Sequence, residues 1–330
     1  MIHISTSFAL LVVAIIILVC IAGSRLSGRL GVPTLFIFIM LGMLFGSDGI
    51  FKIPFGNFAL AEQVCSVALI FIMFYGGFGT KLSEAKPVAV KALLLSSVGV
   101  IFTAALTTVF CFFVLKIKLL ESMLIGAVMS STDAASVFSV LRSKNLNLKY
   151  NTASMLEMES GSNDPFAYML TVIVLSFMKG ENSVGQMVYS IAAPIVFGVL
   201  IGFLIALGAV WFMKHFTFNT SGFDAAFVLG VAVLAYALPT LVGGNGYLSA
   251  YIVGIVLGNQ NIHNKKSLVH FFDGMTGLMQ MLIFFLLGLL SFPSKILTVL
   301  LPSIFIALFI TFVARPLAVA TVLAPFETKI

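Results

Sequence analysis

Long apolar runs broken by short polar stretches pattern this chain from end to end. The runs cover residues 5–23, 33–46, 59–76, 88–115, 119–141, 152–178, 186–213, 222–241, 246–258, 267–290 and 296–324. A helix needs about 20 residues to cross a hydrocarbon core of about 30 Å. Most of the runs reach that length, and eleven transmembrane helices are predicted. Runs 33–46 and 246–258 are short, so they either extend into flanking polar residues or are sheltered by neighbouring helices. The expected architecture is an all-α polytopic membrane domain over 1–330, with no soluble domain.

Composition narrows this further. Of the 330 residues, 60% are hydrophobic and only 9% charged, against about 25% charged in soluble domains. The net charge of +6 comes from loop residues, so it signals lipid-flanking loops and not nucleic-acid binding. Cys20, Cys65 and Cys111 lie in apolar runs without ligand spacing and are expected to pack. The first run has no positive residue before it, and Arg25 and Arg29 follow it. That is the reverse of a secretory signal, so the run is kept as a span. With the N-terminus outside, the inner loops carry 12 Lys and Arg residues and the outer loops 5, leaving Arg315 inside a span. The positive-inside rule thus predicts the N-terminus outside and the residue-330 end cytoplasmic; the expected location is the plasma (inner) membrane.

A weak internal repeat follows. Pro33–Ile39 can be laid on Gly246–Ile252, and Leu69-Ile70-Phe71 with Gly76 on Leu282-Ile283-Phe284 with Gly288, allowing a slip of one residue. Both matches are offset by seven spans. An odd offset reverses direction through the membrane, so the repeats are inverted, as in many transporters. Spans 5 and 6 should then have partners at 12 and 13, which implies two spans beyond this chain.

Two polar clusters interrupt the apolar pattern. Ionisable groups in hydrocarbon cost roughly 2.5–3.5 kcal/mol each on insertion scales and mark functional sites. In span 6, Leu156-Glu157-Met158-Glu159-Ser160-Gly161-Ser162-Asn163-Asp164-Pro165 carries three carboxylates. Glu157 and Asp164 are seven residues apart and share a helix face with Ser160; Glu159 is turned about 200° from Glu157 and is expected to face elsewhere. Pro165 frees the carbonyl of Gly161. In span 5, Ser130-Ser131-Thr132-Asp133 lies in a stretch, 126–136, whose glycine and hydroxyl residues predict an unwound helix. Carbonyls and the Thr132 hydroxyl would then face an ion, and Asp133 could also cap a new helical half. Together the two clusters are expected to form a monovalent-cation and proton site centred on Asp164. Arg315 needs a carboxylate partner, for which Glu157 is the candidate. Asp224 and Asp273 are read as caps near span starts.

Ser131-Thr132-Asp133-Ala134-Ala135, the Glu157–Pro165 stretch, Phe272-Asp273-Gly274-Met275 and Ala314-Arg315-Pro316-Leu317 resemble the monovalent cation:proton antiporter family. The match is to its NhaP-like branch, most closely the bacterial potassium/proton subgroup. The resemblance implies a homodimeric secondary antiporter, not an enzyme, that exchanges K⁺ or Na⁺ for H⁺ without a cofactor. It also implies Asp164 as the ion- and proton-binding carboxylate, Asn163 as its support, and Thr132 and Asp133 at the unwound helix. A Glu157–Arg315 pair and electroneutral one-for-one exchange follow in the same way. The family's last two helices and the subgroup's cytoplasmic domain have no counterpart here, so a C-terminally truncated form is expected. An inactive or regulatory paralogue pairing with a full-length antiporter is the alternative. An intramembrane aspartyl protease using Asp133 and Asp164 is a remote one.

Overall fold

The computed structural model describes residues 6–30, 32–132, 152–180, 184–216, 218, 220 and 222–326. Its helices in chain order are α1 (Thr6–Leu30), α2 (Thr34–Phe45), α3 (Phe58–Gly79), α4 (Leu82–Ala85), α5 (Ala89–Leu94), α6 (Val100–Phe113), α7 (Leu119–Met129), α8 (Thr152–Met178), α9 (Val184–His215), α10 (Phe223–Leu241), α11 (Gly246–Gly258), α12 (Lys265–Leu289), α13 (Pro293–Phe309) and α14 (Arg315–Leu323). Two π-turns, Leu95–Gly99 and Ile310–Ala314, join α5 to α6 and α13 to α14.

Among the described residues, seven segments are long and apolar enough to cross a membrane, and α2, α7 and α11 are shorter apolar helices. The remaining expected span is α8, whose carboxylates set it apart from the apolar ones. The eleven expected helices are therefore all present, and the protein is an integral membrane protein. Apolar side chains around the outside remain exposed, including Leu10, Leu204, Leu241 and Leu297, as a lipid-facing surface requires.

The trace divides into two compact units, residues 1–69 with 274–298 and residues 70–273 with 299–330. In the first unit, Cys20, Phe38, Met281, Phe285 and Leu289 form the core. Asp48 accepts a hydrogen bond from the Ser294 amide (2.7 Å) at the start of α13. The Ser294 hydrogen bonds hold this carboxyl below its ordinary value of 3.8. A depressed carboxyl stabilises the fold above its unfolded pKa, and that contribution is lost on acidification. In the second unit, Asn259 bridges two loops: its Nδ2 donates to Thr80 O and its Oδ1 accepts from the Leu82 amide, both at 2.8 Å. Both contacts join loops that the alternating topology puts on one side of the membrane.

The repeat reappears as packing. In the first unit, short α2 crosses α12 where a Cβ on Gly42 would overlap Phe285 O and one on Gly288 would overlap Ile39 O. In the second, short α11 crosses α3 where a Cβ on Gly254 would overlap Phe74 O and one on Gly77 would overlap Tyr251 O. Exchanging span 2 with 9 and span 3 with 10 converts one interface into the other, as an inverted repeat demands. The register is set by Gly77, not by Gly76 as the sequence match had it, because Gly76 faces open space. Small residues let helix backbones meet where lipid supplies no hydrophobic drive between helices. Gly254→Ala should therefore destabilise the protein by about 1–3 kcal/mol of overpacking strain and lower its thermal midpoint, while Gly274→Ala, which meets open space, should not. Thermal unfolding in detergent distinguishes the two.

The helix α11 is sheltered as expected: ten of its residues, from Gly246 to Gly258, are buried. Three expectations change. The unwinding foreseen from residue 126 begins later, because α7 stays helical through Met129. Gly126 is there for contact: a Cβ would strike the Ala104 carbonyl of α6. Asp273 is no cap, because α12 already starts at Lys265; it accepts a hydrogen bond from Tyr75 (3.1 Å). Asp224 lies in the first turn of α10 but is not its cap either: Gly222 holds that position, and the Asp224 carboxylate accepts from Asn264 (2.6 Å).

Candidate functional site

The site is assembled where α7 stops. The Ser130 hydroxyl donates to Ala127 O (2.7 Å) and closes the last turn, after which Ser131 and Thr132 are non-helical. Hydroxyl residues that compete for backbone carbonyls favour such an end. The chain then presents two hydroxyls in succession to the middle of α8.

Five residues meet there. The Ser131 hydroxyl donates to the carboxylate of Asp164, and its oxygen also lies 3.1 Å from Asn163 Oδ1. Asn163 Nδ2 donates to Thr132 Oγ1 (2.6 Å), which is hydrogen-bonded to Ser160 Oγ (3.1 Å). Either hydroxyl can donate in the Thr132–Ser160 bond, because Thr132 Oγ1 has a second lone pair besides the one the amide uses. Asn163 is fully buried and Ser160 nearly so, while Asp164 is half-buried. Thus Asp164, Asn163, Thr132 and Ser160, all expected site residues, are brought together. Asp133, the other expected ligand, lies outside the described residues.

The helix α8 runs unbroken through Pro165. The side chain of Asn245, the N-cap of α11, reaches the helix at this point. It accepts from the Tyr247 and Leu248 amides (3.0 and 3.1 Å) as an N-cap and donates to Pro165 O (3.3 Å). The Asn245 backbone amide bonds Pro194 O of α9 (2.9 Å). Sequence reading passed over Asn245, although an asparagine directly before an apolar run is an N-cap signal. A cavity of about 370 Å³ opens beside this anchor, with Tyr168, Met169, Tyr236, Asn245 and Tyr247 in its wall. It begins one turn beyond Asp164.

Charge compensation brings in a residue the sequence had set aside. Arg315 pairs with Glu159; the side chain of Glu157, the expected partner, lies outside the described residues. The Glu159 side chain is only 3% exposed, so a bare carboxylate there would be costly. The wheel argument that turned Glu159 away assumed that α8 has one inner face. In fact it packs against α5, α7, α9, α11 and the Leu95–Gly99 π-turn, so protein surrounds it on several sides. Arg315 enters from α14 directly after the second π-turn. Such one-residue expansions re-aim a helix face and recur at functional sites.

Among the described residues, the site has one half-buried carboxylate, uncharged oxygen and amide groups around it, and a neighbouring carboxylate paired with Arg315. A carboxylate among neutral oxygens suits a proton or one monovalent cation. The family model "Sodium/hydrogen exchanger, transmembrane" matches residues 13–330, and the chain belongs to that family of transporters. A K(+)/H(+) antiporter NhaP from Alkalimonas amylolytica is 34% identical over 97% of this chain and 56% of its own length. NhaP2 from Shewanella sp. (strain ANA-3), a K(+)/H(+) antiporter, is 36% identical over 96% and 55%. The sodium proton antiporter MjNhaP1 from Methanocaldococcus jannaschii, solved at pH 8, superposes with a TM-score of 0.85 at 24% identity, covering 99% of this chain and 82% of that one. The chain spans about half the length of the curated relatives it matches.

Proposed function

We infer that the protein exchanges one K⁺ or Na⁺ for one H⁺ across the plasma membrane, by alternating access of Asp164 to the two sides. The observation that carries this is the constellation of Asp164 with Ser131, Asn163, Thr132 and Ser160 where α7 ends. Proton and cation compete for one carboxylate, so each excludes the other and the stoichiometry is one for one. Glu159 is held by Arg315 and stays out of the exchange. The carrier thus moves the same net charge whether it holds a proton or a cation. Asp133 is assigned as a further polar group at the helix break, and a second copy of the chain as its partner in the membrane.

The names of the curated relatives support K⁺ as the first cation to test, and the fold neighbour supports including Na⁺. In everted membrane vesicles with a pH-sensitive dye, adding K⁺ or Na⁺ should release lumenal protons. The initial rate should be unchanged when a diffusion potential is imposed, because no net charge moves. A rate that rises or falls with the imposed potential would exclude one-for-one exchange.

A further inference from the structure

We propose that Ser131 is a switching ligand of the transported cation, a role that rests on Asp164 being the exchanging carboxylate. A hydroxyl has one proton and two lone pairs. Ser131 stands between two acceptors, Asp164 and Asn163 Oδ1, and its single proton can be given fully to only one of them. The orientation of Asn163 is set from the other side, because its Nδ2 is committed to Thr132. Asn163 Oδ1 is therefore kept facing Ser131 as a standing alternative acceptor.

The two arrangements match two states of the site. With the carboxylate charged and no cation bound, the Ser131 proton goes to Asp164, a charge-assisted bond. When a cation reaches Asp164, a proton pointing at it is repelled. The hydroxyl turns, gives its proton to Asn163 Oδ1, and offers a lone pair to the cation. No atom has to travel, because the rotation is about the side chain of a residue already outside the helix. Ser130 cannot substitute, since its own hydroxyl closes the end of α7 on Ala127 O. Thr132 cannot either, since it accepts from Asn163 and bonds Ser160. Among the described hydroxyls where α7 ends, Ser131 is thus the one that can change partners at Asp164 while leaving the rest of the network in place.

The test uses the full chain in everted vesicles, titrated with KCl and separately with NaCl at fixed pH. Ser131→Ala removes the ligand and should raise the apparent KM for the cation roughly tenfold, the scale of one hydrogen-bond-strength contact to a charge, with Vmax within about twofold. Ser131→Thr keeps the hydroxyl and should restore KM to near the parent value. An unchanged KM in Ser131→Ala overturns the proposal. So does an equal loss of Vmax in both variants without a KM change, which marks a purely structural residue. Asp164→Asn is measured alongside. If that variant still exchanges, the carboxylate assignment itself fails; if it is inactive while Ser131→Ala keeps its KM, only the Ser131 role is lost.

Discussion

Asp164→Asn should abolish cation-induced proton movement in vesicles while leaving a protein that inserts, folds and unfolds at a midpoint no lower than the parent's. The amide has nearly the volume of the carboxylate and its oxygen can still accept from Ser131. What disappears is the group proposed to carry either a proton or a compensating charge. Its described neighbours Ser131, Thr132, Ser160 and Asn163 do not titrate in the working range, and Glu159 is engaged with Arg315. Removing a charge from within the membrane also lifts a desolvation cost of about 2.5–3.5 kcal/mol on insertion scales, so stability should hold or rise. Loss of exchange together with a retained thermal midpoint separates loss of chemistry from loss of fold. Retained exchange in Asp164→Asn would remove this residue from the mechanism.

Arg315→Ala should produce the opposite profile, with destabilisation as the primary effect. Glu159 is left buried without its cation, and breaking a buried pair from one side costs about 3–5 kcal/mol. The level of protein in the membrane and its detergent thermal midpoint should both fall. Glu159→Gln should be damaging too, by exposing the Arg315 charge, and Arg315→Met with Glu159→Gln together should recover much of the loss. A double variant as unstable as the sum of the singles would mean that the two residues do not act as a pair. Glu157→Gln is the comparator: if it destabilises more than Glu159→Gln, the partner expected from the sequence is restored.

Of the fold, the spans were readable because each must be apolar along its length to sit in lipid. The short runs 33–46 and 246–258 were recognisable as exceptions, and α11 proved to be wrapped by protein. The interruption near Thr132 was readable because hydroxyls and glycine weaken a helix whatever surrounds it. The two π-turns were not, because a one-residue expansion in an apolar helix has no compositional mark. Asn245 was also missed, since its link to Pro165 joins residues 80 positions apart.

What the sequence determined by itself was the all-helical membrane architecture, the location of the polar clusters in spans 5 and 6, and Asp164 as the residue to examine. Those follow from costs that each segment meets locally in a bilayer. Tertiary structure alone decided that Arg315 meets Glu159, which glycine sets the repeat register, and that Ser131 joins the site. Helical periodicity names the residues sharing a face but not the faces that neighbours cover. With protein packed around several sides of α8, Glu159 found Arg315 on a side that the arithmetic of one face had excluded.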